Sequence, residues 1–369
     1  MHFNYLGGQW EEIRETVLKQ IDETGFRGDY IGGKKVKEFE DEFANYFDTK
    51  YAVGISNGTD ALKIALQILD LGKNDLVVIP TNTFVADYLA VRNLPSNEKP
   101  QTFFIDQDEY FNINLDDLEI FLNNERNLFG KVVIMAVHLY GHPCDMDRLN
   151  ELKNKHELLV IEDCSQSHGT KYKGRFLGND GDISVYSLYP GKNLGAIGDA
   201  GILTTNNIEF FERAKSLRNY GSKVKYYYDE IGHNHRLDTV QAIVLSEKLK
   251  RLKDWNDNKN KVAGMYLDKI KNTKIMLPKN AEYCDYHSYH IFHLVIDDRQ
   301  NFINYMSKND IPTIIHYPIV LHKTNIYQNE RVISSKNADY YADKIVSIPI
   351  HPFMDENEVE KIINLINKY

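Results

Sequence analysis

What most constrains this chain is a run of short, wholly apolar segments alternating with helical ones. Tyr51–Ile55, Leu76–Ile79, Thr102–Ile105, Val132–Val137, Leu158–Ile161, Ser184–Ser187 and Gly201–Thr204 each have strand length. Segments 59–70, 83–93 and 145–155, lying between several of them, carry helical spacing. Runs that are apolar on both alternating faces belong in a sheet covered on both sides, which means mostly parallel strands with helices between them. Segment 165–204 differs, with strands and Gly-rich turns but no long helix. Ahead of the alternation, Trp10, Ile13, Val17 and Ile21 predict one helix, and Val36, Phe39, Phe43 and Tyr46 a second.

Beyond it, 237–271 reads as one long polar helix leading out of the large unit. His290–Ile296, Ile314–His316 and Ile345–Ile348 then read as strands, and 299–308, 336–343 and 355–367 as helices. The expected architecture is α/β. A large domain, 1–245, carries the central, mostly parallel sheet, and a smaller α+β domain, 246–369, follows.

Composition excludes several function classes. Against 44 Lys plus Arg stand 53 Asp plus Glu, a formal net charge of −9. This disfavours a nucleic-acid or anionic-membrane partner for the whole chain while leaving room for a local basic pocket. The longest apolar runs fall far short of the roughly 18 residues a spanning helix needs. The start, MHFNYLGGQW, has neither a basic nor a long apolar stretch, so no signal peptide is expected. Cys144, Cys164 and Cys284 form no CxxC pair and no disulfide framework, which suits a cytoplasmic location. His138, His290, His316 and His322 are too scattered for a metal site, and HExxH is absent.

Four segments could carry chemistry. Ser56-Asn57-Gly58-Thr59-Asp60-Ala61-Leu62 follows a strand and opens a helix, where free N–H groups suit a phosphate. Taken alone, an ordinary capped helix accounts for it better, because such helices are common. Glu162-Asp163-Cys164-Ser165-Gln166-Ser167-His168-Gly169 puts acids at the carboxyl end of a buried strand, where ligands bind in open sheets. A partner for a protonated ring nitrogen, a metal ligand and a capping Asp all remain open there. Tyr189-Pro190-Gly191-Lys192-Asn193-Leu194-Gly195-Ala196-Ile197-Gly198-Asp199 holds one lysine between a Pro-Gly bend and two further glycines. A lysine in a confined, partly dry site loses proton affinity and becomes an amine nucleophile. Arg218-Asn219-Tyr220-Gly221, Lys225-Tyr226 and Gly232-His233-Asn234-His235-Arg236 mix cations, aromatics and amides, as a loop touching an anionic ring-bearing ligand would, although taken alone a solvated loop with Asp238 capping the next helix accounts for it better.

In this order the four segments resemble the nucleotide-sugar aminotransferases of the DegT/StrS type, which are fold-type-I pyridoxal-phosphate enzymes. The likeness runs from Gly28–Glu40 to His316-Tyr317-Pro318 and His322, nearly the whole chain. It implies pyridoxal 5'-phosphate as cofactor and Lys192 as the catalytic residue, joined to the cofactor aldehyde at rest. Asp163 would pair with the ring nitrogen and Gln166 with the phenolic oxygen. Gly58, Thr59 and Ser187 would hold the phosphate, and Phe84 would pack on the ring. Asn234 matches a position that reaches the phosphate of a second subunit, implying a homodimer with shared active sites. Tyr220, Lys225, Tyr226 and His316 are the candidates for the substrate.

The resemblance further implies L-glutamate as donor and a nucleotide-linked ketosugar as acceptor, for deoxyaminosugar synthesis such as O-antigen or other lipopolysaccharide glycans. The Lys192 block, with Gly191 before the lysine, looks most like enzymes acting at carbon 3 of dTDP-3-keto-6-deoxyhexoses. Amination at carbon 4 and a non-catalytic cofactor-binding sensor are the alternatives. A related sugar dehydratase would carry His where this chain has Lys192. His142 departs from the family pattern, as do His233 and His235 beside Asn234.

Overall fold

The computed structural model describes residues 1–96 and 98–369. The chain begins with α1 (Leu6–Arg27) and α2 (Gly33–Tyr46), then alternates through β1 (Tyr51–Ile55), α3 (Gly58–Ile68), β2 (Leu76–Pro80), α4 (Ala86–Arg92), β3 (Gln101–Ile105), α5 (Leu115–Glu125), β4 (Val132–Val137), α6 (Met146–His156) and β5 (Leu159–Asp163). A short hairpin, β6 (Lys171–Tyr172) and β7 (Arg175–Phe176), precedes β8 (Ile183–Ser187), β9 (Gly201–Thr205) and α7 (Ile208–Leu217). Next come α8 (Thr239–Leu249), α9 (Leu252–Lys269), β10 (Ile275–Met276), β11 (Cys284–Tyr286), β12 (Phe292–Ile296) and α10 (Arg299–Lys308). The chain closes with β13 (Arg331–Val332), α11 (Lys336–Ala342), β14 (Ile345–Ile348) and α12 (Glu356–Lys368).

Eight strands form the main sheet in the order β1-β9-β8-β5-β4-β2-β3-β13. Pairing is parallel from β8 through β13, while β9 runs antiparallel to both β1 and β8. The fully apolar runs have the physical cause expected of them. On β2, Leu76 and Val78 pack with α2, α5 and α6, whereas Val77 and Ile79 pack with α3 and α4 on the other face. Two-residue alternation thus feeds two cores from one strand.

The C-terminal part has its own core, drawn from α9, β10, β12, α10, β14 and α12. Helix α12 shows how its sequence specifies it. Asp355 and Glu358 form a reciprocal capping box at its start, and Val359, Ile362, Ile363 and Ile366 are buried along one stripe. Burying each such side chain is worth about 1.5–3 kcal/mol.

Two expectations need correction. The long helix of 237–271 is two helices, because Lys250 and Arg251 turn the chain between α8 and α9. The turn is required by packing: α8 lies on α1 and α2, whereas α9 lies on α12. The strand expected at Ile314–His316 reduces to one bridge, Ile314 with Ser347. Pro312 and Pro318 on either side remove backbone donors a longer ladder would need. No helix among the described residues is long and apolar enough to cross a membrane.

Candidate active site

The carboxyl ends of β1, β5 and β8 meet the segment after β2 along one edge of the sheet, where open α/β folds bind ligands. β1 delivers Asn57, which caps α3 by accepting from the Asp60 N–H at 2.8 Å. That leaves the Gly58 and Thr59 N–H groups at the helix start without an acceptor among the described residues. Ser187, the last residue of β8, lies directly against this start. A Cβ on Gly58 would come within 2.7 Å of the Ser187 Cβ. Glycine is what lets a helix N-terminus and a hydroxyl share one small cradle.

Asp163 ends β5 and is 6% exposed. It accepts the Ser165 N–H at 2.9 Å. Lys192 follows β8 in a tight turn closed by its own N–H donating to the Tyr189 carbonyl at 2.9 Å. Gly195 completes that turn, since a Cβ there would sit 2.5 Å from the Pro190 oxygen. Burial pulls the Lys192 ammonium down to a pKa of about 8, against the opposing pull of the acid pair headed by Asp163. An amine in that range is partly free near neutral pH and partly able to hold a proton, as a nucleophile and proton carrier must be.

The buried Gln166 side chain uses both ends. Its Oε1 accepts the Tyr140 N–H at 2.7 Å, and its Nε2 donates to the Tyr317 hydroxyl at 3.0 Å. Phe84, 53% exposed, stands 6.0 Å from the Tyr317 ring. His316 bonds Ser347 Oγ through Nδ1 at 2.9 Å. Burial and then the Lys192 charge hold it down to about 4, so it stands neutral beside the amine.

Asp163, Lys192 and His316 thus stand close enough to act on one another's charge, Gln166 and Phe84 both approach Tyr317, and the Gly58–Thr59 helix start abuts Ser187, all at the same carboxyl edge of the sheet. Tyr220, Lys225, Tyr226 and Asn234 sit on the largely exposed loop between α7 and α8, whose end is tied to the start of the cradle where the Ser56 N–H donates to the His235 carbonyl at 3.0 Å. Arg236 packs over the Tyr220 ring at 5.1 Å, and Lys225 over Tyr226 at 5.0 Å. Asn234 is exposed, and its side chain has no hydrogen-bond partner among the described residues.

Sequence reasoning missed two sets of residues. Asn193, next to the lysine, donates to Asn256 Oδ1 and the Ser288 carbonyl, both at 2.8 Å, and accepts from Lys259 at 3.0 Å. Lys259 faces no carboxylate within ion-pair distance among the described residues, and burial drags it to about 7. Its signal was legible: it falls on the apolar stripe Trp255, Val262, Tyr266 of α9, where a charge is out of place. The second is Asp87, a fully buried acid in the first turn of α4.

Two other candidates are structural. His138 and Glu162 are both fully buried, with Nε2 and Oε2 3.0 Å apart, and with Cys164 they form a cluster of metal-ligand type. Their atoms are already engaged. Glu162 accepts from the amides of Gly178, Asp180 and Gly181, and His138 Nδ1 accepts the Cys144 N–H. This knot pins the 178–181 loop. His142 is buried, stacks on Tyr110 at 4.9 Å and accepts the Ala281 N–H, away from the cleft.

The cleft's donor set fits pyridoxal 5'-phosphate. The Gly58–Ser187 cradle suits a phosphate, Asp163 a protonated ring nitrogen, and the depressed Lys192 amine an aldehyde.

Comparison with known proteins agrees. The profile of the DegT/DnrJ/EryC1/StrS aminotransferase family matches residues 11–367. A dTDP-3-amino-3,6-dideoxy-alpha-D-galactopyranose transaminase of Aneurinibacillus thermoaerophilus is 39% identical over 361 residues, covering 98% of this chain and 96% of that protein. A dTDP-3-amino-3,4,6-trideoxy-alpha-D-glucose transaminase of Streptomyces venezuelae is 34% identical over 99% of this chain and 94% of its own. The crystal structure of S. venezuelae DesV in complex with a ketimine intermediate superposes with a TM-score of 0.92 at 33% identity, covering 100% of this chain and 97% of that one.

Proposed function

The chain belongs to the DegT/DnrJ/EryC1/StrS aminotransferase family, and from that premise we propose that it moves an amino group from L-glutamate to carbon 3 of a dTDP-linked 3-keto-6-deoxyhexose. The observation that carries this is the depressed amine of Lys192, set across from the Asp163 carboxylate in a cleft with a phosphate cradle. The sugar and the carbon come from the two relatives described above, both named for dTDP-3-amino sugars.

When bound, pyridoxal 5'-phosphate supplies an aldehyde carbon for the amine and a ring that withdraws electrons from the donor's α-carbon. The residues of the chain do the rest. The Gly58 and Thr59 N–H groups and the Ser187 hydroxyl hold the phosphate. Asp163 keeps a proton on the ring nitrogen, while Gln166 and Phe84 fix the ring's edge and face. Lys192 would be the residue that takes the proton from the donor's α-carbon, holds it on Nζ and returns it to the substrate–cofactor pair. Neutral His316 stands beside that amine without competing for its proton. Glutamate and the ketosugar become 2-oxoglutarate and the aminosugar, an amino group and a hydrogen being exchanged for the keto oxygen with no net water and no outside oxidant or reductant.

Tyr220, Lys225, Tyr226 and Asn234 complete this reading only in a homodimer. Their exposure supports a second copy packing over this loop. A large unit, 1–245, and a small one, 246–369, are part of the same reading, supported by the separate core running from Val262 to Ile366. We assign the chain a cytoplasmic place in surface-glycan synthesis, a reading consistent with its nucleotide-sugar relatives.

Product analysis tests the proposal. The protein is incubated with glutamate and, in parallel, a dTDP-3-keto- and a dTDP-4-keto-6-deoxyhexose. Nitrogen appearing at carbon 3 is expected. Amination confined to the 4-keto sugar, or to neither, overturns it.

A further inference from the structure

Asp87 is an acid with no evident business inside a protein. It occupies the first turn of α4, on a stripe continued by the buried Val91 and Leu94, and is 0% exposed. Thr83 Oγ1 donates to its Oδ2 at 2.6 Å. Its Oδ1 is buried and receives no hydrogen bond among the described residues. A buried, ionised carboxylate with an empty oxygen is among the most costly arrangements a fold can hold. Yet the carboxyl within hydrogen-bonding reach of Asp87 is another acid, Asp163. Charged and titratable groups face Asp87 from three other elements: Asp163 from the end of β5, Lys192 from the turn after β8, and Tyr317 from the segment before Pro318.

We propose that Asp87 is a positioning residue that keeps a proton on Oδ1 and donates it in a hydrogen bond to Asp163, so that the two carboxyls together carry one negative charge. Such a proton resolves both anomalies at once. The empty oxygen becomes a donor, and the repulsion between two neighbouring acids disappears. The proton sits on Asp87 rather than Asp163 for a local reason. Asp163 already accepts the Ser165 N–H and is the less buried of the two, so it carries charge more cheaply. Burial, then Asp163 itself, pushes Asp87 well above the usual carboxylate range, while Lys192 pulls weakly the other way.

The consequence falls on Asp163. A neutral donor behind it fixes the rotation of its carboxylate and withdraws part of its basicity. On the reading that Asp163 meets the cofactor's ring nitrogen, on which this step rests, Asp87 sets how firmly that nitrogen holds its proton.

The test uses the full-length protein, with and without pyridoxal 5'-phosphate, as wild type, Asp87→Asn and Asp87→Ala. Infrared spectra at pH 8.5 report the carbonyl stretch of a protonated carboxylic acid. Asp108, raised to about 7, is then mostly ionised and cancels in the difference spectrum. The band is expected in wild type and absent from Asp87→Asn. In the cofactor-loaded protein, the pH midpoint of the visible absorption band gives the second readout. Asp87→Asn keeps a donor toward Asp163 and should leave the midpoint in place. Asp87→Ala removes it and should move the midpoint by about one pH unit or more. A purely structural role would move neither the infrared band nor the midpoint in this pattern. An infrared band that persists in Asp87→Asn overturns the proposal, as do equal midpoints in all three proteins. A wild type that forms no visible band with the cofactor would instead sink the reading of the cleft, and the infrared comparison would then decide the acid pair alone.

Discussion

Lys192 should react as no ordinary lysine does, and the structure says by how much. With its pKa drawn down to about 8, roughly half of the amine is uncharged at pH 8. A lysine left in water is about 0.4% uncharged at that pH, so the free-amine advantage is on the order of 100-fold. The assay is trace labelling of the cofactor-free protein with isotopic acetic anhydride across pH 6–11, read peptide by peptide in a mass spectrometer against N-acetyl-lysine amide as standard. Labelling at Lys192 should follow a sigmoid centred near 8 and flatten above it, whereas the standard keeps climbing to its ordinary value. Direction can be checked too. Asp163 favours the charged ammonium, so Asp163→Asn should slide the Lys192 midpoint lower. Labelling that rises tenfold per pH unit through pH 10, or a midpoint that moves upward in Asp163→Asn, would refute the reasoning.

Glu162→Gln should destabilise the protein by about 3 kcal/mol near neutral pH, because an amide nitrogen would face backbone N–H donors in a dry site. Burial alone would raise the Glu162 carboxyl, but the His138 hydrogen bond and the loop amides outweigh it and hold it low. Its stabilising share is therefore complete above the ordinary carboxylate range and lost as pH falls through the lowered value. The gap in thermal midpoint between wild type and variant should accordingly narrow in acid. Lys225→Ala should raise KM for the nucleotide sugar more than it lowers kcat, by loss of contact equal in ground and transition states. An unchanged KM in steady-state assays would remove Lys225 from the substrate site.

Much of this architecture was legible because the residues that make strands also leave a pattern. Val132–Val137 is apolar at every position and is buried at every position. The chemistry-bearing segments were legible for a related reason: each joins a strand end to a bend or helix start, and such junctions have few workable residue types. Helices α5 and α7 went unread, although Asn114 and Asn207 cap them with acidic residues in the first turn. Strands β11 and β13 could not be read, since each is two or three residues long and exists only because a distant partner, β6 or β3, is there to pair with. Asp87 and Lys259 were legible only as charges on an apolar stripe. What each does depends on a neighbour far away in sequence: Asp163 for the acid, and Asn193, 66 residues off, for the lysine. No local window contains those pairs.

The clasp from Lys259 to Asn193 has a consequence for how the protein is armed. The lysine belongs to a helix of the C-terminal half, and the asparagine adjoins the reactive amine. Seating α9 against the lysine-bearing turn and fixing the residue beside the amine are thus a single mechanical event. Loosening that clasp would leave the phosphate cradle intact while freeing the segment that carries the nucleophile. Retention of the vitamin-derived group then becomes a gauge of whether the two halves have closed.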